Sequence, residues 1–193
     1  MFEKTATHIT MWMDRNGIIE SDKITIVQWG LRNILDTTLN IITFMIIGLI
    51  LRMPLETIIF TLGYIPLRSF AGGFHAKTPL RCWIVSNTIL FTALMIICYL
   101  SSYPLILLIL GLLSIAILVV LMPVSDIHKP LDSSDVRKYK VRGLCILSIE
   151  IGTSFIFKVI HQSRLTYSIF AIWILLSIML ILGKIKKYYQ SRP

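Results

Sequence analysis

A histidine and a cysteine stand seven residues apart in the segment Arg68-Ser-Phe-Ala-Gly-Gly-Phe-His75-Ala-Lys-Thr-Pro-Leu-Arg-Cys82. An imidazole that takes a thiol proton and a thiolate that attacks a carbonyl are the working groups of a cysteine peptidase. In one continuous helix the two residues would lie about 10.5 Å apart along the axis, whereas proton transfer needs about 2.6–3.2 Å. Pro79 would clash with the carbonyl of His75 in such a helix, so we expect a break that lets the pair meet.

Cys82 stands just after a helix-start signature. Thr78-Pro79 combines a residue that caps helices with one favoured at the first helical position, so Cys82 falls in the fourth position of the new helix. The positive end of the helix dipole and the side chains of Lys77 and Arg81 should favour the thiolate, the nucleophilic form of cysteine. The backbone N–H groups of Leu80 and Arg81 are candidates to stabilise an oxyanion.

Gly72 and Gly73 precede His75 and allow backbone turns that other residues rarely adopt, as well as close approach by a substrate chain. This freedom would let the imidazole swing toward Cys82, take the thiol proton and later return a proton to a leaving amine. The alternative is structural: the glycines permit tight helix packing, His75 satisfies a backbone group and Cys82 fills space. Local chemistry alone leaves both interpretations open.

The 193-residue chain is too apolar for a soluble domain of its size, because 55% of its residues are hydrophobic, only 15% are charged and the mean hydropathy is +0.78. We expect an integral membrane protein. The net charge of +9 does not indicate nucleic acid, since the basic residues stand in short clusters between apolar runs, where membrane lipids with anionic headgroups account for them. The spacing of the three cysteines matches neither a zinc site nor a disulfide framework, and we expect no metal or cofactor.

The elements that must position the motif are membrane helices. An apolar run of about 20 residues crosses the hydrocarbon core as a helix. We therefore predict an all-α fold, a polytopic integral membrane helix bundle of about six spans in one domain, residues 1–193. One span, residues 53–67, is short and bracketed by prolines, so that it either crosses as a short helix or re-enters. The other spans cover approximately residues 24–51, 80–100, 103–122, 141–160 and 165–183.

A shorter amphipathic helix is expected at the N-terminus, where it would lie at the membrane surface. Residues 1–13 place a stripe of apolar side chains at helical spacing, with Trp12 beside it, and Gly17 is placed to end the helix. The stripe consists of Phe2, Ala6, Ile9 and Met13.

Charge asymmetry orients the bundle, because lysine and arginine are enriched in cytoplasmic loops. The C-terminal tail and the loop 123–142 are both basic, so both should be cytoplasmic. Counting spans back places the motif, with Arg68, Lys77 and Arg81, at the cytoplasmic face of the cell membrane. If the N-terminus is also cytoplasmic, residues 53–67 must cross and give six spans, which we favour. Re-entry would leave five spans and an outside N-terminus.

The string Arg68-x-x-x-Gly72-Gly73-x-His75-Ala76, followed by Cys82, resembles the signature of the accessory gene regulator B (AgrB) family. Members of that family are membrane peptidases that process autoinducing-peptide precursors in Gram-positive quorum sensing. The order of spans, the cytoplasmic motif and the basic central loop are similar to that family over nearly the whole chain. His75 and Cys82 match the catalytic pair proposed for the family.

The resemblance implies a reaction. Cys82 would attack a backbone carbonyl of a small AgrD-like precursor peptide, expel the acidic C-terminal tail and hold the remainder as a thioester, which an internal cysteine or serine then closes into a ring. Arg68, Lys77 and Arg81 would attract the acidic tail, Arg68 above all because it belongs to the motif. Lys129, in the basic loop, would help to hold the peptide. The family also suggests a homodimer.

Two alternatives stay open. Glu150 lies in an apolar span, where a carboxylate is costly and often functional; it is a candidate third catalytic residue, although pairing with a basic group is favoured. For the whole chain, the alternative is a non-catalytic membrane peptide transporter or export component with a broken helix at its binding site. The expected mark of such a transporter, broken segments at corresponding positions in two halves, is missing from the sequence.

Overall fold

The computed structural model describes residues 2–74, 78–124 and 133–190. Within these ranges the chain forms seven α-helices and no strand, so the all-α prediction is confirmed. A single 3₁₀ turn, Ser21–Lys23, precedes the second helix. The helices are α1 (Glu3–Arg15), α2 (Ile24–Ile50), α3 (Pro54–Ala71), α4 (Pro79–Leu100), α5 (Pro104–Leu121), α6 (Ser133–Val159) and α7 (Ser163–Gln190).

Four of the described helices, α2, α4, α5 and α7, are long and apolar enough to cross a membrane. The other two long helices, α3 and α6, occupy the remaining predicted positions but contain no 18-residue stretch as apolar as those four helices do. The predicted bounds hold closely for α4 and α5. In contrast, α6 begins at Ser133 rather than near 141, because its first turns are a charged helix in which Lys138 pairs with Asp135 at 3.8 Å.

The short segment expected at 53–67 is the helix α3, which continues to Ala71. Pro54 opens this helix in the first-turn position where a missing N–H costs nothing, and Pro66 is accommodated inside it. The helix stops where Gly72 takes a φ of +75°, a conformation that glycine adopts without strain. The extra turn is therefore set by the glycines and keeps Arg68 helical.

The N-terminal helix α1 packs along the start of α2. Gly17 follows it with a φ of +66°, as the sequence predicts for a helix end. The predicted apolar stripe is partly wrong: Ala6 is buried, but Thr10 is buried beside it while Ile9 is exposed. Thr10 can face α2 because its hydroxyl donates to the Ala6 carbonyl at 2.8 Å, which satisfies the polar group within its own helix.

The last helix, α7, is the centre of the bundle. It packs against α3, α4, α5 and α6, and 67% of its most apolar stretch is buried, compared with 11% for α2. Association of helices in lipid depends on close packing and interhelical hydrogen bonds rather than on removal from water, and α7 supplies both. Its fully buried side chains include Ile172, Leu176 and Leu180. Segments that pack against α7 are therefore in contact with the most buried of the four apolar helices.

Candidate functional site

The segment before His75 is pinned to two distant parts of the chain. Val124, just beyond α5, donates its N–H to the Ala71 carbonyl at 2.9 Å and accepts from the Gly73 N–H at 3.4 Å. The Phe74 N–H donates to the Met179 carbonyl of α7 at 3.1 Å. These hydrogen bonds fix the backbone path of residues 71–74 after the end of α3.

Gly72 and Gly73 are required for this course. Their φ angles are +75° and +114°, which side chains other than hydrogen strain. A Cβ on Gly72 would collide with the Val124 carbonyl oxygen. The sequence predicted that the glycines would allow a turn and a close approach by a substrate chain. The chain that approaches Gly72 in the structure is instead the protein's own backbone at Val124.

Arg68 lies one turn before the end of α3 and reaches over this segment. Its Nη1 donates to the Tyr64 hydroxyl at 2.9 Å, and its Nη2 donates to the Phe74 carbonyl oxygen at 2.9 Å. The guanidinium also lies over the Tyr64 ring, 5.7 Å from its centroid. Tyr64 is buried and stacks on Phe60 with ring centroids 5.0 Å apart. Arg68 is therefore fixed at two of its nitrogens.

Cys82 occupies the position that the sequence predicts, in the first turns of α4. Thr78 caps the helix by accepting from the Arg81 N–H at 3.4 Å, Pro79 is the first helical residue, and the Cys82 N–H donates to the Thr78 carbonyl at 3.0 Å. The thiol is free and partly buried.

Several of the predicted site residues lie outside the described residues, namely His75, Lys77 and Lys129. The distance from the His75 imidazole to the Cys82 sulfur therefore stays a prediction. Leu80 and Arg81 are exposed at the start of α4. Because the Arg81 N–H already bonds to Thr78, the Leu80 N–H is the better of the two oxyanion candidates.

Sequence reasoning missed Gly183 of α7. A Cβ there would lie 2.7 Å from the Gly73 carbonyl carbon and 2.9 Å from the Phe74 nitrogen, so only hydrogen fits between α7 and the pinned segment. The residue gave no local signal, because a glycine near the end of an apolar run is unremarkable until the fold brings residues 73 and 183 together.

Two polar atoms beyond Cys82 on α4 were also missed. The Trp83 indole N–H and the Asn87 side-chain oxygen are buried and have no hydrogen-bond partner within the described residues. The Asn87 amide donates to the Trp83 carbonyl at 2.8 Å, which uses its nitrogen and leaves its oxygen. A buried polar atom without a partner costs about 1–3 kcal/mol, so both atoms are unfavourable to the stability of the fold.

Glu150 has a different partner from the one that the sequence favoured. Its Oε2 accepts from the Trp173 indole N–H at 2.7 Å, whereas we expected a basic group. Its Oε1 is buried and unpartnered among the described residues, facing Gly63 of α3. The carboxyl group therefore joins α6 to α7 in the core of the bundle.

Comparison with known proteins bears on this geometry. The profile of the accessory gene regulator B family matches residues 6–182, which includes the whole motif. The chain belongs to the accessory gene regulator B family. The resemblance found in the motif is thereby confirmed, and with it a place in the accessory gene regulator system of quorum sensing.

Individual AgrB relatives match over shorter stretches. The chain is 30% identical over 122 residues to the accessory gene regulator protein B of Staphylococcus intermedius, covering 62% of this chain and 64% of the relative. It is 29% identical over 66 residues to an AgrB-like protein of Clostridium perfringens strain 13, covering 34% of this chain and 31% of the relative. Each match spans less than two thirds of the relative's length. No solved structure is significantly similar to the chain.

Proposed function

We propose that this AgrB-family protein is a membrane-embedded cysteine endopeptidase that removes the C-terminal tail of a small AgrD-like precursor peptide and promotes closure of a thiolactone or lactone ring. The observation that carries the proposal is the setting of Cys82. Its free, partly buried thiol stands in the first turns of α4, and the residue that precedes His75 is pinned by hydrogen bonds to α3 and α7.

The first step is an acyl transfer to sulfur. His75 takes the thiol proton of Cys82, and the thiolate attacks the scissile carbonyl, forming a C–S bond and an oxyanion. The Leu80 N–H at the positive end of α4 is the donor that would stabilise this charge. The C–N bond then breaks, His75 returns the proton to the leaving amine, and the tail departs.

The second step closes the ring. A thiol or hydroxyl within the bound peptide loses its proton to His75 and attacks the thioester, and the Cys82 thiol is regenerated as the ring forms. When the internal nucleophile is a thiol, one thioester replaces another and the step is nearly isoenergetic. The first step converts an amide to a thioester and is uphill, so water must be excluded and the tail must leave.

Substrate binding is assigned to groups near the thiol. Arg81 is exposed beside Cys82 and is the described residue best placed to attract an acidic tail. Contacts of the substrate with Arg68, Lys77 and Lys129 stay predictions.

Reconstitution in liposomes with a candidate precursor tests the proposal. Cleavage and ring closure, followed by mass spectrometry, should occur with the parent protein and be lost in Cys82→Ala and His75→Ala. Cys98→Ala and Cys145→Ala are matched controls, because both thiols are free and exposed on apolar helices, and both should retain cleavage. Cleavage that survives Cys82→Ala would overturn the proposal, and export without cleavage by the parent would favour the transporter alternative.

A further inference from the structure

The peptide unit that joins Phe74 to His75 is held from the α3 side. Arg68 Nη2 donates to the carbonyl oxygen of Phe74 at 2.9 Å. That oxygen belongs to the same planar unit as the nitrogen of the next residue. A hydrogen bond to it therefore restricts the orientation of the peptide plane that follows Phe74.

Arg68 can serve this purpose because Tyr64 holds it in place. The Tyr64 hydroxyl accepts from Nη1 at 2.9 Å while the ring lies under the guanidinium. Tyr64 is itself only 3% exposed and stacks on Phe60. A planar guanidinium can donate to both oxygens at once in a fixed arrangement, which an ammonium group on a flexible stem cannot reproduce.

The same residue is held from the α7 side. The Phe74 N–H donates to the Met179 carbonyl at 3.1 Å, and this approach is possible because residue 183 lacks a Cβ. Lys186, one turn later on α7, lies over the Phe74 ring with its Nζ 5.1 Å from the centroid. Both polar groups of the Phe74 main chain are therefore used.

We propose that Tyr64, Arg68 and Gly183 form a clamp that positions the peptide unit before His75 for the reaction. The clamp rests on the proposed function, in which His75 is the base. Its members are positioning residues, because the contacts that define the clamp act through the Phe74 main chain. The competing assignment is that Arg68 grips the acidic tail of the substrate, as the family motif suggests.

Kinetics separate the two assignments. Tyr64→Phe keeps the aromatic ring and leaves Arg68 charged, but it removes the oxygen that accepts from Nη1. Arg68→Lys keeps the positive charge but loses the planar guanidinium that donates from two nitrogens. A clamp predicts that kcat falls about 10- to 100-fold in both variants, with little change in KM. The fall in kcat should be the same for a precursor with an acidic tail and for one whose tail acids are replaced by amides. Tyr99→Phe is the control, because Tyr99 is exposed near the far end of α4. A rise in KM that disappears with the neutral tail would overturn the clamp in favour of a tail contact.

Glycine variants provide an independent comparison. Gly183→Ala places a Cβ against the Gly73 and Phe74 backbone and should lower kcat in the same way. Gly152→Ala is the matched control, because a Cβ there meets no atom within 4 Å. Equal kcat values in the two variants would contradict the clamp.

Hydrogen–deuterium exchange tests the clamp without catalysis. The Phe74 amide should be protected in the parent protein in liposomes and should exchange at least several-fold faster in Arg68→Lys and Gly183→Ala, but not in Gly152→Ala. Unchanged protection would overturn the clamp even if the parent cleaved no precursor. A parent that shows the protection but no cleavage would instead count against the proposed function.

Discussion

At the scale of single residues, the surroundings of Cys82 distinguish it from the other two cysteines. Cys98 and Cys145 are exposed on apolar helices, whereas Cys82 follows the Thr78 cap of α4 and is partly buried. This difference could be predicted from the sequence, because Thr78-Pro79 is a local helix-start signal. The role of Gly183 could not, because it depends on a contact between α7 and residues 73–74 that forms only after the helices pack. The Tyr64–Arg68 pair, in contrast, is an i, i+4 contact within α3.

At the scale of elements, helix starts were easier to predict than the end of α3 or the start of α6. Pro54, Pro79 and Pro104 each open a helix within a residue or two of the predicted start. The end of α3 was predicted at 67 but lies at Ala71, where Gly72 takes a positive φ. The pairing of residues 71 and 73 with Val124 then sets the path of the chain beyond the helix. That pairing joins segments about 50 residues apart, and no local pattern encodes it.

The ion pair between α3 and α7 gives an element-scale prediction. Glu56 Oε1 lies 3.0 Å from Arg164 Nε, and the Glu56 side chain is only 9% exposed. Arg164→Met should leave a carboxylate without its partner and lower the free energy of unfolding by about 1–3 kcal/mol, while adding Glu56→Gln should restore part of the loss. Thermal unfolding in detergent measures this.

The exposed pair of Lys138 and Asp135 provides the matched control. Lys138→Met should change the unfolding temperature little, because exposed ion pairs contribute at most about 1 kcal/mol. Equal destabilisation by Arg164→Met and Lys138→Met would show that burial of Glu56 does not matter.

At the scale of the whole molecule, the family match covers residues 6–182 and the helices pack around α7, while the single domain over residues 1–193 stays a prediction. Composition was enough to predict a helical membrane protein. It was not enough to predict that α7 lies at the centre, because α2, α4 and α5 also read as apolar spans. The buried fraction of each helix distinguishes α7 from the other three, and this fraction depends on which helices pack around it.

Topology is the prediction at this scale. If α3 and α6 both cross, the chain has six spans, and the N-terminus, the motif and the C-terminal tail all face the cytoplasm. A membrane-impermeant thiol reagent on intact cells should then fail to label a cysteine introduced at Lys4 of a protein otherwise free of cysteine, and should label one introduced at Ser102. Labelling at residue 4 would indicate five spans and a re-entrant α3.

The acyl-enzyme is the most direct test of the whole account. A precursor whose internal nucleophile is replaced by alanine cannot close its ring, so the thioester should accumulate. Intact-mass measurement of the parent protein should then show an increase equal to the tail-less peptide, removable by neutral hydroxylamine and absent in Cys82→Ala. Tail release without this adduct, or an adduct that persists in Cys82→Ala, would contradict nucleophilic catalysis by Cys82.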